Sequence, residues 1–97
     1  MTAHDLERVL AAARQAVLDQ SYVLTPHAVL EMRDDHLDVV DIEAAILTGR
    51  IERVFEDDAR GRRYEIVGRA TDLRTAIGVV IRFVGAMLVI TVYESRP

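Results

Sequence analysis

The chain contains no cysteine. That excludes disulfides and any thiolate-held metal, and makes the reducing cytoplasm the expected location. It also contains no lysine, so all twelve basic residues are arginine. Arginine presents a planar fork of donors that grips phosphate or carboxylate in bidentate fashion. No apolar run is long enough for a membrane helix. The best candidate, Arg74–Glu94, is interrupted by Gly78, Arg82 and Gly85 and alternates with the period of a strand. The opening MTAHDLERVL carries early acids and no apolar segment, so it does not read as a signal peptide.

What is present is one domain's worth of chain. Its 97 residues are half apolar, enough for a core without staples. Net charge is −4, which argues mildly against a nucleic-acid binder, but the charge is uneven. Residues 1–48 sum to −6 and residues 49–97 to +2. A basic second half is compatible with a local anion site.

Three helices are expected before Gly49. Thr2 caps the first, with Asp5 as a weak capping-box partner; Leu6, Val9, Leu10, Ala13 and Val17 give it one apolar face to about Asp19. Ser21–Leu24 reads as a short extended link. Thr25-Pro26 starts a second helix that runs to about Asp35. Asp38 starts a third, with Val39, Ile42, Ala45 and Ile46 as its stripe and Thr48-Gly49 as its end.

After Gly49 the period becomes alternating. Arg50–Glu56 and Arg62–Arg69 read as strands about a turn at Asp57–Gly61, and Ala70–Leu73 turns the chain again. Arg74–Glu94 reads as a hairpin about a two-residue Gly85-Ala86 loop. That loop opposes Val84 to Met87 and Gly78 to Tyr93. One face then carries Ile77, Val79, Ile81, Phe83, Leu88, Ile90 and Val92. The other carries Gly78, Val80, Arg82, Met87, Val89, Thr91 and Tyr93. The expected fold class is α+β, three N-terminal helices followed by a four-stranded antiparallel meander. The second face is mixed rather than polar, so it is covered, by the first helix or otherwise, or it binds a partner.

Two constellations could carry chemistry. His27, Glu31 and Asp35 share one face of the second helix at i, i+4 and i+8. They suit a divalent ion, an acid/base group or an exposed polar stripe; with no second ligand cluster, no metal and no cofactor is expected. On the mixed sheet face Arg82, Thr91 and Tyr93 lie together, with Arg63 or Glu65 within reach from the next strand. Such a set can perform metal-free phosphoryl chemistry, with Arg stabilising the phosphorane and Tyr, Glu or His moving a proton. It can equally be a cross-strand Arg82–Glu65 pair with Tyr93 filling the space above Gly78. Arg60, Arg62 and Arg63 stand near its rim as phosphate or RNA contacts.

Four motifs in order carry a resemblance: T-P-H-A-x-x-E-M (Thr25–Met32), D-x-x-x-A-I-L-x-G (Asp41–Gly49), R-G-x-R-Y-x-V-x-G (Arg60–Gly68, with Ile66 at the Val position) and I-T-V-Y-E (Ile90–Glu94). Together they resemble a bacterial and archaeal domain family of unknown function grouped with RelE-, BrnT- and MqsR-like toxins. The resemblance covers about residues 21–95, leaving the leading helix (1–20) outside. It implies a RelE/barnase-like fold, metal-independent mRNA cleavage and an antitoxin partner. Its functional positions would be His27, Arg60, Tyr64, Gly68, Thr91, Tyr93 and Glu94. Many members of that family carry Arg where this chain has Glu31 and Asp35, and carboxylates there would repel RNA. The alternative is therefore a non-catalytic module of the same fold, binding a protein partner or a second copy through the mixed sheet face.

Overall fold

The computed structural model describes residues 1–56 and 59–95. The first element, α1 (Ala3–Asp19), begins at a capping box between Thr2 and Asp5 and ends with Gln20 in the left-handed region. A three-residue strand follows, β1 (Tyr22–Leu24), then α2 (Pro26–Asp34) and α3 (Val39–Thr48). Thr25 caps α2 through its hydroxyl, and Asp38 and Asp41 form a capping box on α3. Four strands complete the chain: β2 (Arg50–Phe55), β3 (Arg63–Arg69), β4 (Ala76–Val84) and β5 (Ala86–Glu94). The expected Asp57–Gly61 turn lies partly outside the described residues.

The strands form one sheet in the order β1-β5-β4-β3-β2, antiparallel throughout except that β1 runs parallel to β5. This corrects the expectation of a four-stranded antiparallel meander behind three helices, and with it the RelE/barnase-like assignment of the fold. The segment taken as a link is a strand: Tyr22, Val23 and Leu24 pair with Met87, Leu88 and Val89. Three residues are too few to show alternation. Their partner lies more than sixty positions away, so no local turn announces the pairing.

The hairpin also differs from its expected register. Gly85 adopts φ 72°, which a residue without Cβ tolerates, and the chain reverses so tightly that Val84 opposes Ala86. Arg82 then faces Leu88 and Ile81 faces Val89; beyond a bulge, Val80 faces Thr91 and Gly78 faces Tyr93. The bulge places one extra residue, Ile90, in β5. It exchanges the faces of the tip-proximal half. Met87 and Val89 enter the core, 1% and 0% exposed, while Leu88 turns to the opposite side. Phe83, expected inside, is 36% exposed near the tip.

All three helices cover one face of this sheet. Ala13, Ala16 and Val17 of α1, Ala28 and Met32 of α2, and Ile42, Ala45 and Ile46 of α3 form one core with Ile66, Ile77, Val79, Ile81, Val89 and Val92. Each fully buried aliphatic side chain contributes about 1.5–3 kcal/mol of transfer free energy. Arg14 fastens α1 to the end of α3, donating to the carbonyls of Ile46 (3.3 Å) and Gly49 (2.9 Å). The first helix therefore belongs to the helical layer and leaves the opposite sheet face alone.

Candidate functional site

That opposite face is built in rows by the strand register. Arg53, Glu65, Val80 and Thr91 follow one another across four strands, and Val67, Gly78 and Tyr93 form the next row. Arg82 stands beside Leu88, one pair beyond the bulge, and Phe55 stands beside Arg63. The face is apolar toward β1, through Val23, Leu88 and Val80, and rich in guanidinium toward β2.

Its centre is Glu65, only 5% exposed. Arg53 grips both carboxylate oxygens, Nε to Oε1 at 3.1 Å and Nη2 to Oε2 at 3.1 Å. This fork geometry fixes the carboxylate's plane as well as its charge. Arg53 holds the carboxyl of Glu65 below the usual range, against burial that pushes it up. Tyr93 lies flat across β4 because Gly78 has no side chain: a Cβ there would collide with Cζ, Cε1 and the hydroxyl oxygen of the ring. The phenol is thereby directed toward Glu65. Burial, and then hydrogen bonding to that carboxylate, push Tyr93 up to about 12. Arg53 and Arg63 both lie over the Phe55 ring, 5.2 and 4.9 Å from its centroid. Arg82 is 7% exposed.

The expected residues thus divide. Arg82, Thr91, Tyr93, Arg63 and Glu65 share the outer face. Glu65 pairs with Arg53. Arg60 is exposed in the turn before β3, and exposed Arg62 pairs with Glu56 at 2.9 Å. Tyr64 and Gly68 are buried, Tyr64 within the core. Glu94 ends β5.

His27, Glu31 and Asp35 stand elsewhere, on α2 beside the β5 edge. β1 covers that edge only as far as Val89. Beyond it, Thr25 Oγ1 donates to the Ile90 carbonyl (3.1 Å), the Val92 N–H donates to Glu31 Oε1 (3.0 Å), and the Glu94 N–H donates to Asp35 Oδ2 (3.0 Å). The N-cap Thr25, together with Glu31 and Asp35 one helical turn apart, thus occupies alternate backbone groups that a further strand would use. They close an edge otherwise open to pairing with another chain. His27 is exposed, its Nε2 3.3 Å from Glu31 Oε1. Among the described residues no three His, Asp or Glu side chains converge as a metal site.

A cleft of about 310 Å³ between α2, α3 and the ends of β3, β4 and β5 is lined by Asp35, Asp41, Asp72 and Glu94. Its acids are engaged by the fold. Asp41 accepts from Thr71 N–H and Oγ1, and Asp72 accepts from Thr75 Oγ1 and from the backbone N–H groups of Thr75 and Arg74, which hold it down to about 2.

Sequence reasoning missed Arg53 and Phe55. Their alternation along β2 is interrupted between Ile51 and Arg53, where Glu52 is the extra residue. Only the pairing of Arg53 with Glu65 shows which side it serves.

A helical layer on one face of a five-stranded mixed sheet, with a polar row on the other, defines a small α+β domain. The chain belongs to the family described as a domain of unknown function, DUF4258, whose model matches residues 24–94. That span begins at the last residue of β1 and leaves α1 outside, although α1 contributes three residues to the core. Comparison with curated proteins and with solved structures gives no match. No described helix is long and apolar enough to cross a membrane.

Proposed function

We propose that the outer sheet face is the site of a toxin-type endoribonuclease that cleaves RNA with its own side chains. The reading draws on the motif resemblance to RelE-, BrnT- and MqsR-like toxins. One observation carries it: a nearly buried carboxylate, Glu65, meets a phenol, Tyr93, on the sheet face that none of the described helices covers. Opposite environments push the two groups apart, so at neutral pH Tyr93 keeps its proton and Glu65 its charge. Such a pair supplies an acid and a base.

In the proposed reaction the substrate's 2′-hydroxyl oxygen attacks the adjacent phosphorus, and Glu65 takes its proton. The bond from phosphorus to the 5′-oxygen breaks, and Tyr93 gives that oxygen a proton. The products are a 2′,3′-cyclic phosphate and a 5′-hydroxyl. Arg82 and Arg63 supply positive charge near the phosphorane, and Thr91 lies beside Val80 as a neighbouring hydroxyl. His27 has no part, since it stands at the β5 edge. Glu31 and Asp35 stand at the β5 edge, hydrogen-bonded to its backbone, and not on the outer face.

The test is cleavage of a fluorescent single-stranded RNA in EDTA. Glu65→Gln and Tyr93→Phe should each lower kcat by about 10²–10⁴-fold, with folding checked by circular dichroism. Indifference to both changes defeats the proposal. The alternative, a module that binds a partner protein or a second copy, draws on the apolar side of the same face, where Val23 is 53% exposed. It requires no cleavage by the wild type and burial of Val23 in a complex. An antitoxin would act by covering this face.

A further inference from the structure

We infer that Gly78 is a positioning residue for the proposed acid, setting where the Tyr93 phenol rests relative to Glu65. This rests on the reading of Tyr93 and Glu65 as an acid/base pair. Gly78 opposes Tyr93 in the β4–β5 ladder and Val67 in the β3–β4 ladder. It therefore lies under the line from Tyr93 to β3. Any side chain at 78 would occupy the space now filled by Cζ, Cε1 and the hydroxyl oxygen of Tyr93. The ring would have to lift, and the phenol would leave the carboxylate. Glycine inside a strand weakens it and lacks a side chain to pack, so its presence here calls for a close approach of this kind. In contrast to Gly85, Gly78 needs no left-handed backbone: no positive φ is found there.

The charged and titratable groups acting on the phenol are Glu65 from β3 and Arg53 and Glu52 from β2. With the ring flat over Gly78, burial first and then Glu65, with a smaller push from Glu52, keep Tyr93 protonated up to about 12, against Arg53, which pulls it down. Lifting the ring into solvent returns it toward the ordinary value of 10.

The experiment is an ultraviolet titration of tyrosine ionisation in the whole chain, with Tyr93→Phe as the background. Wild type and Tyr93→Phe should show the same ionisation up to about pH 11, because Tyr93 is silent there. Gly78→Ala should show one additional tyrosine ionising below that pH, and Gly78→Ala/Tyr93→Phe should lose it again. In the RNA assay Gly78→Ala should fall as far as Tyr93→Phe, and the double variant no further. If Gly78→Ala does not fold, adding Tyr93→Ala should restore folding, since the three atoms nearest the added Cβ all belong to that side chain; failure to restore it overturns the inference. An unchanged titration in a folded Gly78→Ala also overturns it, even where the wild type cleaves RNA. A shifted titration in a protein that cleaves no RNA sustains the positioning role and removes the ribonuclease reading.

Discussion

Replacing Glu31 by alanine should cost stability without touching the outer sheet face. The Val92 N–H now donates to Glu31 Oε1 at 3.0 Å, beyond the reach of β1. Hydrogen bonds to charged groups contribute about 1.5–3 kcal/mol. The Glu31 side chain is 25% exposed, so water can partly replace it, and the lower end, about 1.5 kcal/mol, is expected. For a domain of this size that corresponds to roughly 6–12 °C in Tm. Glu31→Gln keeps an acceptor oxygen and should recover more than half of the loss. His27→Ala should change stability by less than about 0.5 kcal/mol, as its side chain is 67% exposed. The assay is urea denaturation followed by circular dichroism, with the m-value expected to stay constant. Glu31→Ala at wild-type stability would show that the carboxylate does not close the β5 edge. Glu31→Gln as damaging as Glu31→Ala would instead make the charge, and not the acceptor alone, decisive for closing that edge.

Ile66→Ala, at a position with 0% exposure in the middle of the core, should cost about 2–5 kcal/mol in the same denaturation assay. Arg53→Met should change the acid limb of the stability profile. The depressed carboxyl of Glu65 contributes stability above its ordinary value of 4.5, and that contribution fades as pH falls through the lower folded value. With Arg53 gone, burial pushes the carboxyl up, so the gap to wild type should be widest near neutrality and narrow below about pH 4.5; a gap independent of pH contradicts the Arg53–Glu65 assignment. Deleting Ile90 should leave a folded protein weakened by about 2–3 kcal/mol, from one lost hydrogen bond and a half-buried side chain. Unfolding of the deletion variant would mean that Ile90 is not the extra residue of a bulge.

The sequence made the helices legible because each starts on a chemical signal, Thr2 with Asp5, Thr25 with Pro26, and Asp38 with Asp41, and each repeats one apolar stripe. The sheet was harder to read for reasons specific to its ends. A hairpin register counted outward from a two-residue Gly85-Ala86 loop fails at the tip, where Val84 opposes Ala86, and the extra residue Ile90 brings the count back. Gly78, Val80, Thr91 and Tyr93 still fall on one face, since the one-residue tightening at the tip and the one-residue bulge cancel beyond Val80. Arg82 also stays with them, because β4 itself is regular. The candidate site was therefore readable on β4 and on the distal half of β5, while Leu88, Met87 and Val89 were assigned to the wrong faces. On β2 the extra residue Glu52 hid Arg53 in the same way. In both strands the irregularity sits beside the row that holds Glu65 and Thr91, where a bulge re-aims the side chains that follow it. The α2 stripe shows a different limit. Spacing alone places His27, Glu31 and Asp35 on one face, but it cannot distinguish a ligand set from acceptors for a strand whose N–H groups point toward that face. The distinction needed β1, and β1 is the element whose three residues carried no period to read.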